Sequence, residues 1–239
     1  MNVGLFGGTF DPVHRGHLAV AHAAAHMFQL KQVLFVPSSV PPHRQGRPLS
    51  PYHHRFAMLT LALQRERAFI PSSLEAPSEP GALSIGSGRH GPCYSIDTVR
   101  ALKMQLGRSD KLFFLIGIDA FMDIAKWHQA DALLREVDFI VASRPGYSLA
   151  DVGGALPKTM RPQPEVFRAL KKVKAADGLA GKDFIILGTT MLNLLPDVNV
   201  GISATQVRAA AQRGAPLDKF VDRSVAEYIR KTRLYRRVA

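Results

Sequence analysis

The run Gly7-Gly8-Thr9-Phe10-Asp11-Pro12-Val13-His14-Arg15-Gly16-His17 holds the densest grouping of residues suited to handling a phosphate. Histidines three apart at a helix start can face the same way, where the helix dipole and the first backbone N–H groups favour an anion. Gly7 and Gly8 permit close backbone approach to a ligand. The run is neither a G-x-G-x-x-G turn nor a P-loop, because neither the glycine spacing nor a Gly-Lys-Ser/Thr ending is present. On spacing alone two readings stand: a phosphate-binding pair, or two capping or core histidines. Far along the chain, Ser203-Ala204-Thr205-Gln206 fits a capping box and is followed by Arg208. A capped helix start presents N–H groups to phosphate, and an arginine one turn in adds a charge-assisted contact. Its plain structural reading, a well-capped helix, holds at the same time.

These residues need elements to place them. Val3 to Phe6 is an apolar run ending at Gly7-Gly8, and a helical pattern begins near His17 with Leu18, Ala21, Ala25 and Phe28 on one face. Val33 to Val36 reads as a buried strand stopped by Pro37, with a proline-rich loop through Pro41-Pro42 behind it. Ser50-Pro51 predicts an N-cap with proline at the first helical position, opening a helix through Met58, Leu61 and Ala62. Residues 71–92 read mostly as loop, with a short strand at Ala82 to Ile85. Ser95 is the expected cap of a helix through Val99, Leu102 and Leu106. Leu112 to Ile116, Asp138 to Ala142 and Phe184 to Leu187 are strand candidates, with a helix expected near Val166 to Val173.

Buried strands alternating with helices predict an α/β fold, a doubly wound, mostly parallel sheet covered on both faces. Such a sheet binds ligands beyond the carboxyl ends of its strands, where strand order reverses.

The 239 residues are 46% hydrophobic and 21% charged, as in ordinary globular proteins, and predict one domain with a helical portion from about residue 203. The opening residues carry no signal-peptide pattern, and the most apolar windows, Leu112 to Ile118 and Leu18 to Met27, are too short or too interrupted by histidine to span a bilayer. A cytoplasmic protein without membrane contact is expected. Cys93 is the single cysteine, which excludes an internal disulfide and a thiolate metal cluster. The net charge of +12 favours acidic partners without choosing among them. Much of that excess lies in the last stretch, where Arg223, Arg230, Lys231, Arg233, Arg236 and Arg237 face only Glu227 and read either as a solvated helix with a loose basic tail or as a nucleic-acid patch.

The string Gly-Gly-Thr-Phe-Asp-Pro-Val-His-x-Gly-His resembles the signature of the nucleotidyltransferase superfamily with the H-x-G-H motif. Pro41-Pro42-His43-Arg44, Gly117-Ile118-Asp119, Trp127, Ser143-Arg144-Pro145-Gly146-Tyr147 and Ile202 to Arg208 are similar, in content and order, to nicotinate-nucleotide adenylyltransferases. The likeness runs from Val3 to about Tyr235. It implies a Rossmann-like nucleotidyltransferase fold and attack by the 5′-phosphate of nicotinate mononucleotide on the α-phosphorus of ATP, with pyrophosphate leaving and no covalent enzyme intermediate. Transfer of this kind asks a protein mainly to align two anions and neutralise charge.

On the same resemblance, His14, His17 and Arg208 are the expected catalytic residues. Gly7, Gly8, Thr9, Phe10, His43, Arg44, Ile202, Ser203 and Thr205 complete the ATP side, with the backbone around Gly8 to Phe10 cradling nucleotide. Tyr94, Ser95, Thr98, Asp119, Trp127 and Arg144 are expected on the acceptor side, Trp127 stacking on the pyridine ring and Asp119 accepting from ribose hydroxyls. Read bare, a lone tryptophan is core, Asp119 is an exposed or capping residue, and Arg144 fixes a turn. Mg²⁺ is expected to arrive with ATP, since the motif holds no carboxylate cluster. Cys93-Tyr94-Ser95 departs from the family, where a small polar residue then Tyr-Thr is common, and the loop 75–92 is lengthened. The opposing reading is a nucleic-acid-binding protein that uses the fold without catalysis; the intact His14 and His17 weigh against it. A homo-oligomer is left open.

Overall fold

In the computed structural model, residues 1–39, 49–77, 93–143, 149–163, 165, 184–195, 198 and 201–236 are described. The elements run β1 (Asn2–Gly8), α1 (Arg15–Phe28), β2 (Gln32–Pro37), α2 (Tyr52–Leu63), β3 (Phe69–Pro71), α3 (Ser95–Lys103), β4 (Lys111–Gly117), α4 (Ile118–Phe121), α5 (Ala130–Glu136) and β5 (Asp138–Ala142). They continue with α6 (Leu149–Ala155), β6 (Phe184–Leu187), β7 (Thr190–Leu195), α7 (Ala204–Gln212) and α8 (Arg223–Lys231).

The strands form one seven-stranded sheet in the order β3-β2-β1-β4-β5-β7-β6. All pairs are parallel except β6 with β7. The strands are apolar on both faces because both are covered. Along β4, Leu112, Phe114 and Ile116 face a core shared with α3, α4, α5 and α6, while Phe113 and Leu115 face a second core shared with α1, α2, α7 and α8. The chain leaves β1 toward β2 and later returns to its other side at β4, so strand order reverses between β1 and β4. Both strands end in glycine there, at Gly7-Gly8 and Gly117.

Several boundaries differ from expectation. Helix α1 starts two residues before His17, with His14 at the N-cap. Pro51 and not Ser50 occupies the N-cap of α2. Ser50 is drawn elsewhere, its N–H donating to the Asp11 carboxylate and its carbonyl accepting from Arg55. Tyr94 is the N-cap of α3, and Ser95 is its first helical residue. Two strands escaped the sequence reading. β3 is three residues long and ends in proline, which is tolerated at a sheet edge. β7 forms a hairpin with β6 around Gly188, whose φ of +70° is available to glycine at little cost. The strand expected at 82–85 and the helix expected at 166–173 lie outside the described residues. Among the described residues, no helix is long and apolar enough to cross a membrane.

Candidate active site

At the end of β1 the backbone turns sharply. Phe10 takes a left-handed φ of 46°, rare for a residue with a side chain, and its ring is buried against Phe6 and Phe35. Phe10 can therefore meet a ligand only through its backbone. A Cβ at Gly8 would stand 3.1 Å from the buried Phe10 ring, a tight contact that the ring would have to shift to relieve.

The two histidines are joined by the helix start itself. The His14 N–H donates to His17 Nδ1 at 3.2 Å, and the two rings stack with centroids 3.7 Å apart. A Cβ at Gly16 would meet the His14 ring at 3.0 Å, so a larger residue there would press on that ring. Because Nδ1 of His17 accepts, its proton in the neutral ring sits on Nε2. Burial, with the neighbouring His14 adding to it, holds the His17 imidazole well below its usual pKa of 6.5. His17 is thus a neutral donor near pH 7.

The α1 start offers fewer N–H groups than its spacing suggested. The Arg15 N–H is taken by the Phe220 carbonyl at 2.8 Å, and that of His17 by His14 at 2.9 Å. Helix α7 is different. Its capping box forms as expected, Ser203 N–H donating to Gln206 Oε1 at 2.8 Å and Gln206 N–H to Ser203 Oγ at 3.3 Å. The intervening N–H groups of Ala204 and Thr205 have no acceptor within the helix. Arg208 donates from Nη1 to the Asp11 carbonyl at 2.6 Å and from Nη2 to Thr205 Oγ1 at 3.1 Å, which fixes the plane of its guanidinium.

Two cavities open at the carboxyl ends of β1 and β4. One, of about 350 Å³, is lined by His14, His17, Ile202, Ser203, Thr205 and Arg208. The other, of about 280 Å³, is lined by Gly8, Tyr94, Ser95, Thr98, Trp127 and His128. They share Gly7, Thr9 and Gly117, so occupants of the two would meet there. Asp119, expected beside the aromatic residues, lines the first cavity, while its neighbour Ala120 lines the second. Successive residues at a helix start point about 100° apart, which sends them to opposite sides.

In the second cavity, Tyr94 stacks on His128 with centroids 4.1 Å apart, and Trp127 meets Phe114 edge-on at 6.2 Å. The Thr98 hydroxyl is committed to Glu75 at 2.6 Å. Among the described residues no group of three or more His, Cys, Asp or Glu converges as a metal-ligand set. His43, Arg44 and Arg144 lie outside the described residues.

Four residues at this site carried no role in the sequence reading. Arg55 is 1% exposed and donates to the carbonyls of Thr9, Ser50 and Ser39, joining the loops after β1 and β2. Its spacing from Met58 and Leu59, an arginine on the buried stripe of α2, was the available signal. His128 was visible beside Trp127. Asp11 lay inside the motif, buried, with its oxygens accepting from Tyr235 and Ser50. Nothing marked Tyr235. Within the stretch expected to be a loose tail, Leu234 and Tyr235 pack on the second core, Arg233 and Arg236 are exposed, and residues 237–239 lie outside the described residues.

The cytidylyltransferase-like family matches residues 5–210. A protein of Geobacter sulfurreducens named as a probable nicotinate-nucleotide adenylyltransferase is 34% identical over 235 residues, 98% of each chain. One of the same name from Symbiobacterium thermophilum is 35% identical, over 98% of this chain and 95% of its own. Among solved structures, the Plasmodium falciparum nicotinic acid mononucleotide adenylyltransferase complexed with NaAD superposes with a TM-score of 0.63 at 18% identity, covering 98% of this chain and 97% of that one. At that identity the likeness is one of fold.

Proposed function

The chain belongs to the cytidylyltransferase-like family, within it alongside the nicotinate-nucleotide adenylyltransferases, and from that premise we propose that it adenylylates nicotinate mononucleotide. An oxygen of the acceptor 5′-phosphate attacks the α-phosphorus of ATP. The bond from that phosphorus to the β-phosphate bridge breaks, pyrophosphate leaves with the bond electrons, and nicotinate adenine dinucleotide is formed. The observation that carries this reading is the meeting of two cavities of different character on Gly7, Thr9 and Gly117, beside the histidine pair.

ATP takes the side of His14, His17 and Arg208. Neutral His17 donates Nε2–H to a phosphate oxygen, a hydrogen bond that survives across the neutral pH range because the ring does not titrate there. The start of α7 adds its N–H groups, and Arg208 adds charge on the reacting phosphates. His43 and Arg44 are assigned to ATP by the family resemblance alone. Mg²⁺ brought in on ATP would supply charge neutralisation on the leaving pyrophosphate. The acceptor takes the aromatic side, with Trp127 as a platform for the pyridine ring and Tyr94, Ser95 and Thr98 bordering it; Arg144 is assigned to the acceptor by the family resemblance alone. Asp119 stands on the ATP side of Gly117, where it is placed to accept from a ribose hydroxyl near the junction.

We infer that the chain works as one domain, with α7 completing the ATP side, and that it acts in the cytoplasm. The test is pyrophosphate release from ATP across a panel of phosphate-bearing acceptors. Release with nicotinate mononucleotide above all others is the expected result; equal release with a pantetheine phosphate or with no acceptor would overturn it.

A further inference from the structure

We propose that Tyr235 is a positioning residue for adenylyl transfer, its hydroxyl latching the C-terminal turn to Asp11 and thereby setting the pose of Arg208. This rests on the reading of the histidine-lined cavity as the ATP site.

Asp11 joins three distant segments. Oδ1 accepts from the Tyr235 hydroxyl at 2.7 Å, Oδ2 from the Ser50 N–H at 3.3 Å, and the main-chain carbonyl from Arg208 Nη1 at 2.6 Å. A carboxylate can only accept, so Tyr235 is the donor. Burial, reinforced by the Asp11 charge, holds the tyrosine hydroxyl far above its usual pKa, so the donor stays protonated at any working pH. Asp11 also lines the cavity assigned to the triphosphate. With both oxygens accepting hydrogen bonds, its carboxylate is held in one pose there.

Both ends of the latch hold uncommon backbone. Phe10, next to Asp11, has a φ of 46°, and Arg233 and Tyr235 have φ of 54° and 67°. None is glycine. Left-handed backbone at such residues persists only where surrounding contacts over-determine it. The turn is anchored by hydrogen bonds from Arg233 N–H to the Arg230 carbonyl and from Leu234 N–H to the Ile229 carbonyl, so α8 delivers it. Helix α8 is in turn fixed by Val225 and Ile229 in the second core. A rigid helix thus presents one hydroxyl to one buried carboxylate, and the same residue's carbonyl orients Arg208.

The test is Tyr235→Phe, which removes one oxygen and keeps the ring. We expect kcat to fall roughly 10-fold to 100-fold, with the KM for each substrate changing by less than about 2-fold, because a misaimed Arg208 costs alignment more than binding. Combined with Arg208→Lys, the change is expected to add no further loss beyond Arg208→Lys alone. Asp11→Asn, which keeps an acceptor for the hydroxyl, should retain more activity than Asp11→Ala. Hydrogen exchange supplies a readout independent of catalysis: residues 7–14 and 204–208 should exchange faster in Tyr235→Phe than in wild type. Unchanged kcat, full multiplicativity with Arg208→Lys, or unchanged exchange in both segments would each overturn the latch. A wild-type protein that releases no pyrophosphate, but whose Tyr235→Phe variant shows the faster exchange, would instead retire the functional reading and keep the contact.

Discussion

The two cavities share Gly7, Thr9 and Gly117 and are otherwise built by different means. The histidine-lined side is made largely of two helix starts, each fixed by hydrogen bonds spanning three residues: His14 to His17, and Ser203 with Gln206. The aromatic side gathers Glu75, Tyr94, Phe114 and Trp127 from separate elements. Fixed dipoles suit a developing charge, because they need not reorganise when it appears. A flat apolar ring needs area, which aromatic side chains supply from whatever element carries them. Substitutions on the first side should therefore strike kcat, and those on the second the acceptor KM.

The sharpest way to break that contrast is at His17. His17→Ala is expected to lower kcat by roughly 100-fold or more, on the order of 3 kcal/mol, with a milder loss of ATP binding. Near wild-type turnover in steady-state assays would remove His17 from the mechanism. Next is Arg55, which belongs to neither cavity but ties the Thr9 carbonyl, at their junction, to Ser39 and Ser50. Arg55→Met should destabilise the fold by about 2–3 kcal/mol, since buried carbonyls lose charge-assisted donors. An unchanged urea midpoint would count against that role.

On the aromatic side the expected effect is smaller. Nicotinate mononucleotide should be preferred over nicotinamide mononucleotide by at least roughly 10-fold in kcat/KM, about 1.4 kcal/mol. Stacking does not distinguish the rings, whereas N–H donors bind a carboxylate and oppose an amide NH₂. Trp127→Ala should weaken both acceptors alike and leave the preference standing. A variant that lost only the acid would show that the tryptophan itself discriminates.

The smallest effect concerns pH. The folded His17 resists protonation, while the unfolded chain takes up a proton near 6.5, so this residue's contribution is intact above 6.5 and is lost as pH falls through the lower folded value. The drop in Tm from about pH 7.5 to about pH 5.5 should therefore be less in His17→Gln than in wild type. An equal drop would show that other groups carry the acid sensitivity.

Much of the fold was legible because its signals are short-ranged. Val3 to Phe6, Val33 to Val36 and Leu112 to Ile116 read as strands from apolar runs bounded by Gly and Pro, and all three lie within strands of the sheet. The box at Ser203 needed only its own tetrapeptide. Where two local rules competed, the longer contact decided. Pro51 takes the N-cap of α2 in place of Ser50, whose N–H and carbonyl are tied to Asp11 and Arg55. β3 and β7 were missed because one is three residues long and the other lies close behind β6 across a tight turn.

By itself the sequence determined the alternation of strands and helices, the two phosphate-suited helix starts and the family they resemble, because caps, turns and apolar periodicity depend on neighbours within a few residues. Only the tertiary structure decided that Asp119 and Ala120 serve different cavities, that Arg55 fastens the loops after β1 and β2, and that Asp11 meets Arg208 and Tyr235 across 197 and 224 positions. Those meetings follow from strand order and from the packing of α7 and α8 on the sheet, and contacts between such distant positions leave no periodic trace in the chain.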